Sequence, residues 1–274
     1  MLFLLSSLKK PCPTKIEKGF LLMDFIKKTS VIAERENKTV YRDGNKTIKV
    51  FSEKQPKSDI MNEALNQALI EELGMNVPAI LEIRLVDNKL VTVSQFIEGS
   101  TLHELMENDK ENFDKYLGMF VDLQIEFQSK ETRALTRLKD MLNTQITASA
   151  LPATMRYDFH MRLDTMPKHH KVCHGDFNPS NVILGADGKL YILDWSHATQ
   201  GNASGDAAMT YLLFRLEGKD EVAEKYLSLF CEKSGIAETN VKKWIPLVAA
   251  SHSTECRKGE EELLLKWAEE YSVV

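Results

Sequence analysis

The residues best suited to chemistry lie in one short segment, H-G-D-F-N-P-S-N, which runs from His174 to Asn181. Asp176 and Asn181 share this segment, and Asp194 follows in Y-I-L-D-W. Carboxylate and amide oxygens are the ligands that Mg²⁺ prefers. Phosphoryl transfer needs such ligands and a base near the acceptor hydroxyl. The segment therefore predicts a phosphoryl-transfer site, although each piece alone also fits an ordinary turn or strand end.

The order and spacing of these residues resemble a known family. H-x-D-x-x-x-x-N followed by a hydrophobic-Asp-Trp segment is similar to the aminoglycoside phosphotransferase and choline kinase family, which has a protein-kinase-like fold. The resemblance implies two catalytic residues, Asp176 as the base and His174 as the support of its loop. It implies Asn181 and Asp194 as magnesium ligands, with ATP and Mg²⁺ as cofactors. Asp206, in G-N-A-S-G-D-A-A, resembles the buried acid that braces the catalytic loop.

A kinase also needs a lysine on its third strand to reach the nucleotide phosphates, and a helix glutamate to hold that lysine. Lys49, in T-I-K-V-F, sits on the predicted third strand between apolar neighbours, whereas Lys46 is interpreted as an ordinary surface charge. Glu63, in N-E-A-L-N-Q-A, matches the helix glutamate of the family. It lies off the apolar stripe of its helix, so a solvent-facing side chain is the alternative.

The rest of the predicted nucleotide site follows from the resemblance. Adenine is expected to meet backbone groups of a hinge at Gln95, Phe96 and Ile97, just after the fifth strand. The turn between the first two strands, E-R-E-N-K, has no glycine, unlike the G-x-G-x-x-G loop of protein kinases. The phosphate-covering loop is therefore assigned to residues 36–38.

The elements that position these residues divide into two parts. Residues 29–51 predict three strands with a turn at Asp43-Gly44-Asn45, because Asp-Gly flanked by β-branched residues favours a hairpin. A helix is predicted from Ser58, as its N-cap, to Leu73, and Gly74 ends it. Two more strands follow in I-L-E-I-R-L-V and K-L-V-T-V-S-Q-F.

The second part is mainly helical. Thr101 is predicted to cap a helix, and the helical pattern continues to Met166 with a long amphipathic run over 112–128. A strand pair, K-V-C-H with L-Y-I-L-D, is predicted around Asp187-Gly188, and helices follow Asp206. We therefore expect an α+β, two-lobed protein-kinase-like fold, with a small antiparallel sheet lobe carrying one helix and a larger helical lobe.

We expect residues 1–22 to be an N-terminal lead, either disordered or preceding a true start at Met23. Residues 23–98 would form the nucleotide-binding lobe. Residues 99–274 would carry the catalytic loop, metal site and acceptor pocket. The opening M-L-F-L-L-S-S-L-K-K lacks the leading positive charge and the cleavage site of a signal peptide.

Composition narrows the class of protein. The formal net charge is -5, which argues against nucleic-acid binding because a phosphate backbone requires a basic surface. No apolar stretch is long enough to cross a membrane. The four cysteines form no C-x-x-C pair, which favours reduced thiols and a cytoplasmic location.

Three functions fit the sequence. The first is a kinase that moves the γ-phosphate of ATP to a hydroxyl of a small polar molecule, an amine-bearing acceptor being one option. The second is a catalytically inactive, kinase-like nucleotide-binding protein. The third is a kinase of protein side chains, which the short span between Asp194 and Asp206 disfavours. The sequence does not choose among aminoglycosides, choline or ethanolamine, homoserine and sugars as acceptors, and it leaves the oligomeric state open.

Overall fold

The computed structural model describes residues 30–35 and 37–270. The predicted lead over 1–22 lies outside the described residues, as does Glu36 of the proposed phosphate-covering loop. Within the described residues, no helix combines the length and apolar character needed to cross a membrane.

The first part of the chain forms a five-stranded antiparallel sheet in the order β1-β2-β3-β5-β4. Gly44, in the predicted turn, has a φ of 59°. Asp87 and Asn88, in the turn between the last two strands of the sheet, have φ values of 47° and 63°. Small or Asx residues tolerate this left-handed backbone. The strands are β1 (Ser30–Glu34), β2 (Lys38–Asp43), β3 (Lys46–Phe51), β4 (Ile80–Val86) and β5 (Lys89–Gln95).

Helix α1 (Lys57–Glu72) contacts β4 and β5 of this sheet. Its apolar contact is small, with Ile60 buried against Phe51 and Leu90. The predicted cap is wrong, because the helix begins one residue earlier, after Pro56, and Ser58 makes no capping hydrogen bond. Proline before the first turn sets the backbone without a side-chain cap. Three polar residues of α1 are buried as well: Glu63, Asn66 and Gln67.

The second part is mainly helical, as predicted. Thr101 caps α2 through a capping box, in which its hydroxyl accepts from the Glu104 N–H and the Glu104 carboxylate accepts from the Thr101 N–H. The helices are α2 (Leu102–Asn108), α3 (Phe113–Gln128), α4 (Leu138–Ala148), α5 (Ala153–Thr165), α6 (Ala203–Leu216), α7 (Asp220–Ser234), α8 (Glu238–Lys242), α9 (Ile245–His252) and α10 (Glu261–Glu270).

Two small sheets frame the predicted catalytic segment. One has the order β10-β9-β6 and the other β7-β11-β8. The predicted pairing of K-V-C-H with L-Y-I-L-D is wrong. β8 pairs with β11, while β10 pairs with V-I-L-G across the Asp187-Gly188 turn. The strands are β6 (Gly99–Thr101), β7 (Thr136–Arg137), β8 (Lys171–Cys173), β9 (Val182–Gly185), β10 (Leu190–Ile192) and β11 (Thr199–Gly201).

The main core lies in this second part and reaches the catalytic segment directly. Phe177 stacks on Phe120 with ring centroids 4.2 Å apart and meets Phe127 edge-on at 5.0 Å. Trp195, next to Asp194, is fully buried against Phe127. Aromatic pairs in these geometries contribute about 0.5–1.5 kcal/mol each beyond the burial of their area. The sheet with its one helix and the larger helical part are the two lobes expected. The boundary between the lobes at Gly99 stays a prediction.

Candidate active site

The catalytic segment follows β8 and is held from beneath by Asp206 near the start of α6. One carboxylate oxygen of Asp206 accepts the N–H groups of His174 and Gly175, each at 2.9 Å. The other accepts from Gln128 at 2.8 Å. Burial raises the pKa of Asp206, and these donors oppose the rise. Asp206 therefore holds the backbone of the catalytic segment through hydrogen bonds, in line with the bracing role that the resemblance implies.

His174 connects the two acidic segments of the site. Its Nε2–H donates to the Leu193 carbonyl at 2.9 Å, and its Nδ1 accepts the Asp176 N–H at 3.2 Å. These contacts require the neutral imidazole, and burial lowers its pKa to about 4. His174 is fully buried and lines none of the described cavities. These contacts tie the Asp176 loop to the Asp194 segment, and the His174 side chain is closed off from the cleft.

The carboxylate of Asp176 lines the cleft and is oriented by hydrogen bonds from two asparagines. Asn181 donates to one carboxylate oxygen at 3.0 Å, and Asn178 donates to the other at 3.1 Å. Burial is the main cause that raises the Asp176 pKa; positive charge on His197 opposes it, and Asp194 adds to it. Gly175 permits this loop, since it has a φ of 82° and a Cβ there would lie 2.6 Å from the His197 carbonyl oxygen.

Asp194 follows β10 in a left-handed conformation, with φ at 58° and ψ at 64°. Such a backbone is strained for a residue with a side chain and is common at functional sites. Ser196 donates to one carboxylate oxygen at 3.0 Å, and Lys38 donates to the other at 3.3 Å. Burial would raise the pKa of Asp194, but Lys49 and Lys38 outweigh it and lower that pKa.

Lys49 and Glu63 form the predicted pair, with Nζ and Oε1 separated by 2.5 Å. Burial opposes the charge of Lys49, but Asp194 and Glu63 together raise its pKa. Glu63 is buried, so the solvent-facing alternative is wrong. One turn further along α1, Asn66 donates to the Trp195 carbonyl at 3.0 Å, which ties this helix to the Asp194 segment.

A cavity of about 320 Å³ extends from Lys49 to the predicted hinge and includes Gln95, Phe96 and Ile97 in its lining. The Gln95 and Phe96 N–H groups already donate to the Ala79 and Asn45 carbonyls at 2.9 and 2.8 Å. The Ile97 N–H has no backbone acceptor among the described residues. Of the three hinge N–H groups, that of Ile97 is thus open to a ligand. We call this space the hinge cavity.

A second cavity, of about 340 Å³, lies on the other side of the acidic residues and is lined by Asp176. We call it the C-terminal cavity, because α6 and the segment between α9 and α10 form its far wall. Asn181 and Asp194 line both cavities. The acidic residues of the far wall are Glu217, Glu255 and Glu260, and the basic ones are His252 and Arg257.

Sequence reasoning missed several residues of the cleft. Arg35, from the glycine-free turn, lines the hinge cavity. Lys38 belongs to the predicted phosphate-covering loop, but the sequence assigned it no contact of its own; it lines the same cavity and bridges Asp194 and Glu63. His197 lies in the C-terminal cavity, 3.7 Å from Glu255. A turn that holds Arg and Lys in place of glycine was the available signal for the first two. His197 and Glu255 are 58 positions apart in the numbering, so no local pattern joins them.

The sheet lobe, the helical lobe and the acidic cleft between them define a protein-kinase-like fold. Solved structures support this assignment. A thermostable mutant of aminoglycoside phosphotransferase APH(4)-Ia, in ternary complex with AMP-PNP and hygromycin B, matches with a TM-score of 0.67 at 13% identity, over 90% of this chain and 94% of that one. Choline kinase LicA from Streptococcus pneumoniae matches with a TM-score of 0.62 at 17% identity, over 92% and 96%. At such identities the likeness establishes the fold alone.

The sequence itself identifies the family. The model of the phosphotransferase enzyme family matches residues 28–241, which is most of the chain. The chain therefore belongs to the phosphotransferase enzyme family and is a small-molecule kinase. A comparison with curated proteins gave no significant match.

Proposed function

We propose that this protein transfers the γ-phosphate of ATP to a hydroxyl group of a small polar molecule. One observation carries the proposal: Asp176 lines the C-terminal cavity, while Asn181 and Asp194 line both that cavity and the hinge cavity. A nucleotide in one cavity and an acceptor in the other would meet at these side chains. Phosphoryl transfer relies on this kind of positioning and on charge neutralisation.

Asp176 is the candidate base. Its carboxylate is oriented by Asn178 and Asn181 on the side of the acceptor, where it would align a hydroxyl and accept its proton. Burial raises its pKa, which makes it a stronger base than an exposed aspartate. Lys49, held by Glu63, would contact the nucleotide phosphates from the hinge cavity.

The residues present fit Mg²⁺. The Asn181 amide nitrogen is used by Asp176, and no described residue donates to the Asn181 side-chain oxygen. Asp194 adds carboxylate oxygens beside it. The described residues contain no group of three or more His, Cys, Asp or Glu arranged to hold a metal. A cation here would take its remaining ligands from phosphate and water, as Mg²⁺ does in kinases, and would neutralise the phosphates.

Nucleotide complexes of similar structures favour ATP as the donor. The APH(4)-Ia mutant was crystallised with AMP-PNP or with ADP, and LicA with AMP. In this chain the hinge cavity offers the open N–H of Ile97 between apolar side chains such as Val40 and Leu193. A flat heterocycle with one hydrogen-bond acceptor suits that environment.

The far wall of the C-terminal cavity favours an acceptor that carries amines as well as hydroxyls. It presents three glutamates against one arginine and one histidine, and carboxylates attract ammonium groups. The described lining contains no phenylalanine, tyrosine or tryptophan, which are the side chains that recognise quaternary ammonium groups. A primary or secondary amine, which donates hydrogen bonds to carboxylates, therefore suits this wall better than a choline-like cation.

The decisive experiment is acceptor-dependent ADP release with MgATP, screened over aminoglycosides, amino sugars, amino-alcohols and choline. We expect turnover with an amine-bearing acceptor and little with choline. Asp176→Asn and Asp194→Ala should abolish turnover without unfolding the protein. Asp158→Ala, which removes an exposed carboxylate of α5, is the matched control and should retain it.

A catalytically inactive nucleotide-binding protein is the alternative. It predicts Mg²⁺-dependent AMP-PNP binding without turnover on any acceptor of the panel. Against it, Lys49, Asp176, Asn181 and Asp194 are all present and all line the cleft. A decayed site would be expected to have lost at least one of them.

A further inference from the structure

Lys38 occupies an unusual position at the first residue of β2. Its side chain is 14% exposed and lies between two acids, with Nζ 3.3 Å from Asp194 Oδ2 and 3.7 Å from Glu63 Oε2. It lines the hinge cavity together with Lys49. Lys38 is paired with Phe51 in the strand register, which fixes the position of its backbone. The tip therefore sits where phosphates and metal would enter.

We propose that Lys38 is a second phosphate-binding lysine, which neutralises Asp194 while the nucleotide site is empty and transfers to the nucleotide phosphates when the site is filled. The inference rests on the proposed function, since it assigns a role within the same cleft. It concerns the last residue of the predicted phosphate-covering loop, to which the sequence motifs assign no individual contact.

The contacts of Asp194 favour such a transfer. Ser196 holds one oxygen of its carboxylate at 3.0 Å, and Lys38 holds the other at 3.3 Å. An ammonium group and a divalent cation repel each other and cannot share one side of a carboxylate oxygen. Binding of a cation by Asp194 therefore frees Lys38.

The two lysines differ in how firmly they are held. Lys49 makes a 2.5 Å contact with Glu63, so it already has a close acceptor. Lys38 makes longer contacts, to Asp194 and to the other oxygen of Glu63. A lysine stem is flexible and its ammonium group is a compact point charge. Once freed, Lys38 has the phosphates in its own cavity as the nearest new anion.

Two opposite effects follow from this arrangement. Lys38 competes with cations for Asp194 in the empty site, and it adds positive charge for phosphates once a nucleotide is present. Without Mg²⁺, Lys38 and Lys49, together with Arg35, would supply the positive charge of the hinge cavity that binds the triphosphate. With Mg²⁺, part of that charge comes from the metal, so Lys38 should matter less for affinity.

The test is equilibrium binding by calorimetry with the full chain, using AMP-PNP as the nucleotide probe. Lys38→Met should weaken metal-free AMP-PNP binding about tenfold, the loss expected for one charge-assisted contact. Binding in the presence of Mg²⁺ should weaken less. In nucleotide-free protein, Mn²⁺ binding measured by electron paramagnetic resonance should become tighter, because Asp194 loses its counter-ion.

Lys46→Met, at the exposed start of β3 in the same sheet, is the matched control and should change none of these affinities. Lys38→Gln, which keeps a polar tip, serves if the methionine variant unfolds.

Unchanged metal-free AMP-PNP and Mn²⁺ affinities in folded Lys38 variants would overturn the role of Lys38. If the wild-type chain also turns over an acceptor, that result leaves the proposed function intact. Wild-type nucleotide binding without turnover, with the Lys38 effects present, would overturn the proposed function alone. No AMP-PNP binding by wild-type protein would overturn both.

Discussion

The side-chain amide of Asn181 donates to a carboxylate oxygen of Asp176 at 3.0 Å and to its carbonyl oxygen at 2.9 Å. The candidate base and a candidate metal ligand are therefore one hydrogen-bonded unit. The amide nitrogen orients the base, and the amide oxygen is left for a cation. An asparagine can serve both roles, whereas an aspartate cannot, because it has no donor when ionised.

Asn181→Asp tests this dual role. It keeps an oxygen ligand, but it replaces a donor with a second negative charge beside Asp176. We expect kcat to fall by about a hundredfold or more, as for loss of a positioned general base. The Asp176 pKa should rise, so the acid limb of the pH–kcat/KM profile should move to higher pH.

Asn181→Ala is the comparison, because it removes both donor and ligand without adding charge. Its acid limb should move less than that of Asn181→Asp. If Asn181 acts through metal ligation alone, the aspartate variant should be the more active of the two and its pH profile should match the wild type.

His197 provides a second way to move the pKa of the base. Positive charge on its imidazole lowers the Asp176 pKa and thus opposes the effect of burial. As the proposed base, Asp176 must be ionised to accept a proton, so activity should fall as pH falls through its pKa. His197→Gln removes the charge, so the Asp176 pKa should rise and the acid limb should shift to higher pH.

The measurement is kcat/KM against pH at saturating Mg²⁺. His160→Gln serves as control, because His160 is hydrogen-bonded to Asn143 between α5 and α4, outside the cavities of the cleft. A shift of equal size in both variants, or a shift to lower pH in His197→Gln, would argue against the electrostatic role of His197.

The catalytic segment could be predicted from sequence because its parts are local. Asp176, Asn181 and Asp194 lie within twenty residues of one another, and their spacing reflects one loop and one hairpin. The burial of Glu63 could not be inferred from its helix pattern. Its partner is a lysine on a neighbouring strand, and burial of an ion pair leaves no apolar periodicity.

The remaining site residues depend on contacts between distant parts of the chain. Lys38 meets Asp194 across 156 positions. The far wall of the C-terminal cavity combines Glu217, which follows α6, with Glu255, which follows α9. Such juxtapositions depend on helix packing, which a single sequence does not specify. The mispaired strand K-V-C-H has the same cause, since its true partner β11 follows the intervening hairpin.

His174 makes the stability of the protein depend on pH. Its folded pKa is about 4, whereas an unfolded histidine titrates near 6.5. Between these values the unfolded state binds the extra proton, so stability is full above about pH 6.5 and is lost as pH falls toward 4. The loss should be about 3 kcal/mol at most, from 1.36 kcal/mol per pKa unit.

Urea denaturation from pH 8 to pH 4 measures this dependence. His174→Gln should be less stable at neutral pH, because glutamine cannot reproduce both hydrogen bonds, but its stability should vary less with pH. The pKa of His252 is also lowered by burial, so His252 makes stability depend on pH in the same direction. The His174→Gln variant should therefore keep a smaller slope of stability against pH. An unchanged slope in the variant would refute the assignment to His174.

Asp206 should dominate the stability of the catalytic loop. Asp206→Ala leaves the N–H groups of His174 and Gly175 without their acceptor in a buried position. At about 1–3 kcal/mol for each unsatisfied group, the variant should lose about 4 kcal/mol. Asp206→Asn keeps an acceptor oxygen for these two donors, but its amide nitrogen would face the Gln128 amide, so we expect about half of that loss. Urea denaturation gives the free energy of unfolding, and acceptor-dependent ADP release gives the activity. If the free energies of unfolding of both variants lie within about 1 kcal/mol of the wild-type value, the loop does not depend on this carboxylate, and Asp206 does not brace it.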